Sequence, residues 1–129
     1  PMTTLPAHIT AAAQQEVHRL LQSVDGLQAA VVATVDGFEV AQASHATIDA
    51  ARMAAMASSV CALGEAVARE AGLGNYVSAT IEAAQGRAIL YAIPRADVPL
   101  VLHLLASEQS MLAHIMYAAR QTADTLSAS

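Results

Sequence analysis

Apolar residues recur at helical spacing through positions 8–24. Ile9, Ala13, Val17, Leu20, Leu21 and Val24 form one stripe, with Gln14, Gln15, His18, Arg19 and Gln22 on the other side. Pro6 suits the start of this helix and Asp25-Gly26 its end. Residues 27–35 (LQAAVVATV) are continuously apolar, and residues 38–43 (FEVAQA) alternate. Asp36-Gly37 between them predicts a hairpin.

Residues 48–73 then read as one long helix, with Thr47 as its N-cap. Its middle, residues 53–64, carries no charge, whereas a helix on the surface of a small soluble protein shows a charged face. Charge returns only at Asp49 and Arg52, then at Glu65, Arg69 and Glu70. The apolar middle is shorter than the roughly 18–20 residues needed to span a bilayer. On a helical wheel Met53, Met56, Val60, Leu63 and Val67 fall together, and Ala51, Ala54, Ser58 and Ala62 form an opposite stripe. The large stripe is expected to pack on a sheet. The small stripe is expected to admit a second helix, for which another copy of the chain is the obvious source.

Gly72-Leu73-Gly74 ends the helix. Residues 76–82 (YVSATIE) form a strand with Val77, Ala79 and Ile81 on one face and Tyr76, Ser78, Thr80 and Glu82 on the other. Gln85-Gly86 turns into residues 87–93, and residues 98–105 complete a meander, with Pro99 near the strand's start. Ser107 is expected to cap a last helix over residues 108–125, whose stripe is Met111, Ile115, Ala119, Thr122 and Leu126. The order is helix, hairpin, long helix, three-stranded meander, helix. That predicts an α+β sandwich: five mostly antiparallel strands with helices on both faces. A single domain is expected over residues 7–126, with residues 1–6 and 127–129 as flexible termini.

Composition narrows the function. The chain has 129 residues, enough for one domain with a real core. Its net charge of −5 argues against nucleic acid, whose binding rests on basic contacts to phosphate. All six cations are arginine, so a phosphate loop of the GxxxxGK[ST] type is excluded for want of lysine. The Gly72–Gly74 pair follows a helix rather than opening one, and helix termination explains it. Cys61, the single cysteine, lies among apolar residues as a buried structural thiol and suits a reducing compartment. The five histidines show no metal-ligand spacing, and His103 within VLHLL reads as a core histidine bonded to a neighbouring element. Ser58-Ser59 lacks the setting of a nucleophile elbow. Arg52, Arg69, Arg87 and Arg95 lie near element ends, where an arginine can reach a partner, but solvated surface charge is the favoured reading of each. No catalytic, metal or cofactor site is expected. Residues 1–15 show no basic leader followed by an apolar run, and Pro1 before Met2 reads as a cloning remnant.

The Val35-Asp36-Gly37 turn, the Ala- and Met-rich central helix, the Gly72-x-Gly74 exit and the closing meander together resemble the Roadblock/LC7 domain, over about residues 7–126. The resemblance implies a profilin-like sandwich. It also implies homodimers or heterodimers, made by antiparallel pairing of the central helices and by joining the third strands into one sheet. Here those are residues 49–71 and 76–82. The expected interface is Ala51, Ala54, Ser58 and Ala62, with Glu65 and Arg69 at its rim and Tyr76, Ser78 and Thr80 from the strand. Bacterial members of the gliding-motility type work with small Ras-like GTPases as activators or platforms. Eukaryotic relatives serve as dynein light chains and lysosomal scaffold subunits.

The expectation is therefore a non-enzymatic, cytoplasmic, bacterial regulator or scaffold for a small Ras-like GTPase, paired with itself or a paralogue. It uses no cofactor, nucleic acid or membrane insertion. The alternative is a GTPase-independent adaptor of the dynein-light-chain kind. A small-molecule sensor is disfavoured, because methionines and valines should fill the space between helix and sheet.

Overall fold

In the computed structural model, which describes residues 5–129, the hydrophobic runs become strands of one antiparallel sheet. The elements in chain order are α1 (Ala7–Ser23), β1 (Leu27–Thr34), β2 (Glu39–Ser44), α2 (Ala50–Glu70), β3 (Ser78–Ala83), β4 (Gly86–Ile93), β5 (Leu100–Ser107) and α3 (Leu112–Ala128). The five strands lie in the order β2-β1-β5-β4-β3, so the apolar β5 is central and β3 is an edge. This is the α+β architecture expected from the hydrophobic pattern.

Alternation along β5 divides the core. Leu100, Leu102 and Leu104 face α1 and α3, meeting Ile9, Val17, Leu20, Ile115 and Leu126. Val101 faces α2, with Ala33, Leu90, Ala54, Ala57 and Cys61. The first layer is built from large side chains and the second mostly from small ones, so α2 lies close against its side of the sheet.

Two local expectations change. The N-cap of α2 is Asp49, not Thr47: the Asp49 carboxylate accepts the Arg52 backbone N–H at 3.0 Å. Ser107 does not cap α3. It pairs with Gly86 at the end of β5, and a turn through Ser110 delays the helix to Leu112. Sheet pairing claims Ser107 because β5 extends to match β4. At the carboxyl end α3 continues through Ala128. Arg95 donates to the carbonyls of Leu126, at 2.5 Å, and Ser129, at 3.0 Å, supplying partners that helix-end carbonyls otherwise lack. At the other end, Leu5 packs on the core and Pro6 precedes α1; the flexibility expected of residues 1–4 falls outside the described residues.

The end of α2 behaves as its glycines suggest. Gly72 takes φ +68°, the Leu73 N–H bonds the Ala68 carbonyl at 2.8 Å, and the Gly72 N–H bonds that of Arg69 at 3.2 Å. This is the Schellman arrangement that a glycine beyond the last turn permits.

Candidate interaction face

α2 is rotated from the expected orientation. Ala54 is fully buried (0% exposed) and lies on the sheet with Ala57, Cys61 and Ala68. Met56, Leu63 and Val67 point outward, 55%, 67% and 63% exposed, while Met53 and Val60 are half-buried at the flank. The small line is what lets the helix backbone approach the sheet, and the large stripe is left uncovered.

The residues named from sequence therefore disperse. Ala54 is sealed under the helix and cannot meet a partner. Ser58 is half-buried and donates to the Val35 carbonyl, tying α2 to the β1–β2 hairpin. Ala51 and Ala62 are exposed. Glu65 and Arg69 line a cleft of about 1030 Å³ with Tyr91 and Asp124. Tyr76 is half-buried and packs within its own chain: its hydroxyl donates to the Leu90 carbonyl at 2.5 Å and accepts from the Cys61 thiol at 3.8 Å. Ser78 and Thr80 pair with Tyr91 and Ile89, which belong to the α1–α3 side of the sheet.

What stands beside the large stripe of α2 is the other face of β3. Ala79 lies opposite Leu90 and Ile81 opposite Ala88, both on the α2 side, and Ile81 is 48% exposed. Among the described residues strand β3 pairs only with β4, so its outer edge presents free backbone N–H and C=O groups. No proline or lysine blunts residues 78–83, and their only charge, Glu82, is paired with Arg87 at 2.7 Å. An uncharged helix stripe and an open strand edge thus lie side by side.

The groups beneath α2 are neutral and packed. Burial pushes the Cys61 thiol and the Tyr76 phenol above their ordinary ranges. The buried His103 imidazole places Nδ1 3.3 Å from the Met53 carbonyl, as a core histidine should, and burial lowers its pKa. The thiol and phenol thus keep their protons through the neutral range and the imidazole stays uncharged, so none of the three supplies an activated nucleophile. Of the arginines, Arg87 is bound to Glu82 and the Ser110 carbonyl, and Arg95 to Asp97 and α3. Arg52 and Arg69 make no ion pair among the described residues. The space between α2 and the sheet is filled by Ala33, Ala54, Ala57 and Cys61 over Leu90 and Val101, with Val60 and Tyr76 packed against them; valines take part as expected, and the methionines do not. Among the described residues no helix is long and apolar enough to cross a membrane.

The missed surface residues, Met56, Leu63, Val67 and Ile81, carried one signal: Ala54, Ala57, Cys61 and Ala68 form a small-residue line of their own.

A family model described as the Roadblock/LC7 domain matches residues 13–97. No curated protein matches the chain significantly. Among solved structures, the Roadblock/LC7 domain from Streptomyces avermitilis superposes with a TM-score of 0.79 at 20% identity, over 88% of this chain and 92% of that one. MglB from Myxococcus xanthus gives 0.84 at 13% identity, over 98% and 92%. An MglB structure with a tetrameric arrangement gives 0.85 at 16% identity, over 99% and 94%. At these identities the likeness is one of fold.

Proposed function

The chain belongs to the Roadblock/LC7 domain family, and on that premise we propose that it is a non-enzymatic, dimeric regulator or docking platform for a small Ras-like GTPase, acting in the bacterial cytoplasm. The observation that carries this is the uncharged outer stripe of α2 lying beside the open edge of β3. An apolar face bordered by polar residues marks a protein contact, and an unpaired strand edge is a template for another strand. Two copies joined there cover the stripe and the strand edge against each other, and a third protein then meets a composite surface built by both copies. A surface that binds the GTP state of a switch protein more tightly than the GDP state shifts that protein's population by the difference in affinity.

The test is a pull-down from lysate of the source organism with GDP and, in parallel, a non-hydrolysable GTP analogue. The expected result is a small GTPase enriched with the analogue, whose hydrolysis rate is then followed with and without this protein. A large partner held equally under both nucleotides, with no GTPase, would replace the proposal with the GTPase-independent adaptor.

A further inference from the structure

Position 103 lies in the middle of the central strand, on the side covered by α2. Its sheet neighbours are Val31 of β1 and Leu90 of β4, and the core on that side is otherwise alanine, leucine and valine with Cys61. His103 is only 6% exposed there. Its polar contact is the Met53 carbonyl, 3.3 Å away, in the first turns of α2. The neutral ring satisfies that carbonyl by donating from Nδ1. An imidazolium at the same place carries a charge that the dry layer does not solvate, close to the positive end of the helix dipole.

The surrounding ionisable groups do not offset that charge. On α2, Asp49 is engaged by the Arg52 N–H, Arg52 is exposed on the outer face, and Glu65, Arg69 and Glu70 lie toward the far end. Cys61 and Tyr76 stay protonated through the neutral range. Strand β1 has no ionisable side chain. On β4, Arg87 is bound to Glu82 and Tyr91 packs on the α1–α3 side, and Glu39 of β2 is exposed.

The ties that hold α2 to the sheet are uneven. Ser58 is bonded to the Val35 carbonyl, and Cys61 to Tyr76, which is held by Leu90. Ahead of Ser58, the contact with His103 is the one side-chain hydrogen bond from the sheet to the helix among the described residues. We propose that His103 is an acid-sensitive latch: neutral, it holds the first two turns of α2 against β5, and on gaining a proton it releases them while the sheet stays folded. Release carries Met56 and the start of the exposed stripe out of place, so a partner seated there is weakened in acid. The latch depends neither on the identity of that partner nor on the dimeric reading.

The direction follows from linkage. Burial lowers the pKa of the closed-state ring below its ordinary 6.5, with the Met53 carbonyl opposing this in part. The open form therefore takes the proton more readily, and the closed form loses ground as the pH falls below about 6.5. If the closed ring stays neutral, the opening equilibrium rises by up to about thirtyfold between pH 7.5 and pH 5. The other four histidines are exposed and meet water in both forms, so they add little to this slope.

Native-state hydrogen exchange on the full chain tests the latch, with the amides of residues 53–57 as the readout and each rate corrected for the intrinsic rate at that pH. The wild type is compared with His103→Gln, whose amide can donate to the same carbonyl and does not titrate. In the wild type, protection of residues 53–57 is expected to fall about ten- to thirtyfold from pH 7.5 to pH 5, while amides of β1 and β5 keep theirs. In His103→Gln that fall is expected to vanish. Circular dichroism checks that the variant folds, and His103→Leu takes its place in the same comparison if it does not. An unchanged wild-type protection, an equal fall in the variant, or a loss shared equally by β1 and β5 would overturn the latch.

Discussion

Gly64 shows how a single atom decides the packing between α2 and the strand that follows it. A Cβ there would lie 2.3 Å from the Tyr76 ring. The ring cannot swing away freely, because its hydroxyl is held by Leu90. Gly64→Ala gains about 1 kcal/mol of helix propensity but forces an overpacked contact of about 1–3 kcal/mol and strains a hydrogen bond of about 1 kcal/mol. The expected net effect is a loss of about 1–3 kcal/mol in urea unfolding. Adding Tyr76→Ala should make the loss markedly less than additive, since the clash is then gone. Additive effects would mean that Gly64 serves some other purpose. Asp97 is a residue-scale lock of another kind. Hydrogen bonds from Arg95 and the Val98 N–H hold its carboxyl down at about 2, so it stays ionised and keeps Arg95 aimed at the end of α3.

At the scale of elements, α2 depends on its two ends because polar ties along its middle are few. The Gly72 exit is matched at the start by Asp49. Asp49→Ala removes the acceptor for the Arg52 N–H and is expected to lower stability by about 1 kcal/mol, with Asp49→Ser largely preserving it. Chemical denaturation of the two variants checks this, and equal losses would show that the cap bond contributes nothing. Thr47 cannot take over, since it lies two residues before the cap. The hairpin, the Gly72 exit and the meander were all legible, because turn chemistry is local. The start of α3 was not legible: Ser107 has the right chemistry for a cap, but the register of β5 with β4 reaches it first.

For the whole molecule, the two sides of the sheet are finished differently. The α1–α3 side is closed over large aliphatic residues. The α2 side is closed over small ones, leaving Met56, Leu63 and Val67 outside. That leaves an exposed apolar face, the one on which the proposed pairing rests. Leu63→Asp puts a charge in its middle. Folding stability is expected to stay within about 0.5 kcal/mol, because the residue is exposed in the single chain. Light scattering is expected to show the mass fall to that of one chain. An unchanged mass at unchanged stability would remove α2 from the interface.

The order of elements, the turns, the buried character of Cys61 and His103 and the uncharged run 53–64 all followed from the sequence. Each depends on local periodicity or on composition within one element. Which side of α2 meets the sheet depended on the tertiary structure. Periodicity measures the angle between two faces of a helix but not what lies opposite either of them. Here the deciding quantity is the distance at which α2 crosses the sheet. Ala54, Ala57 and Cys61 allow close approach over Leu90 and Val101, and that approach turns Ala54 inward and the large stripe out. The candidate site was thus visible in the sequence as an unusual helix, and only the packing decided which of its faces is left exposed.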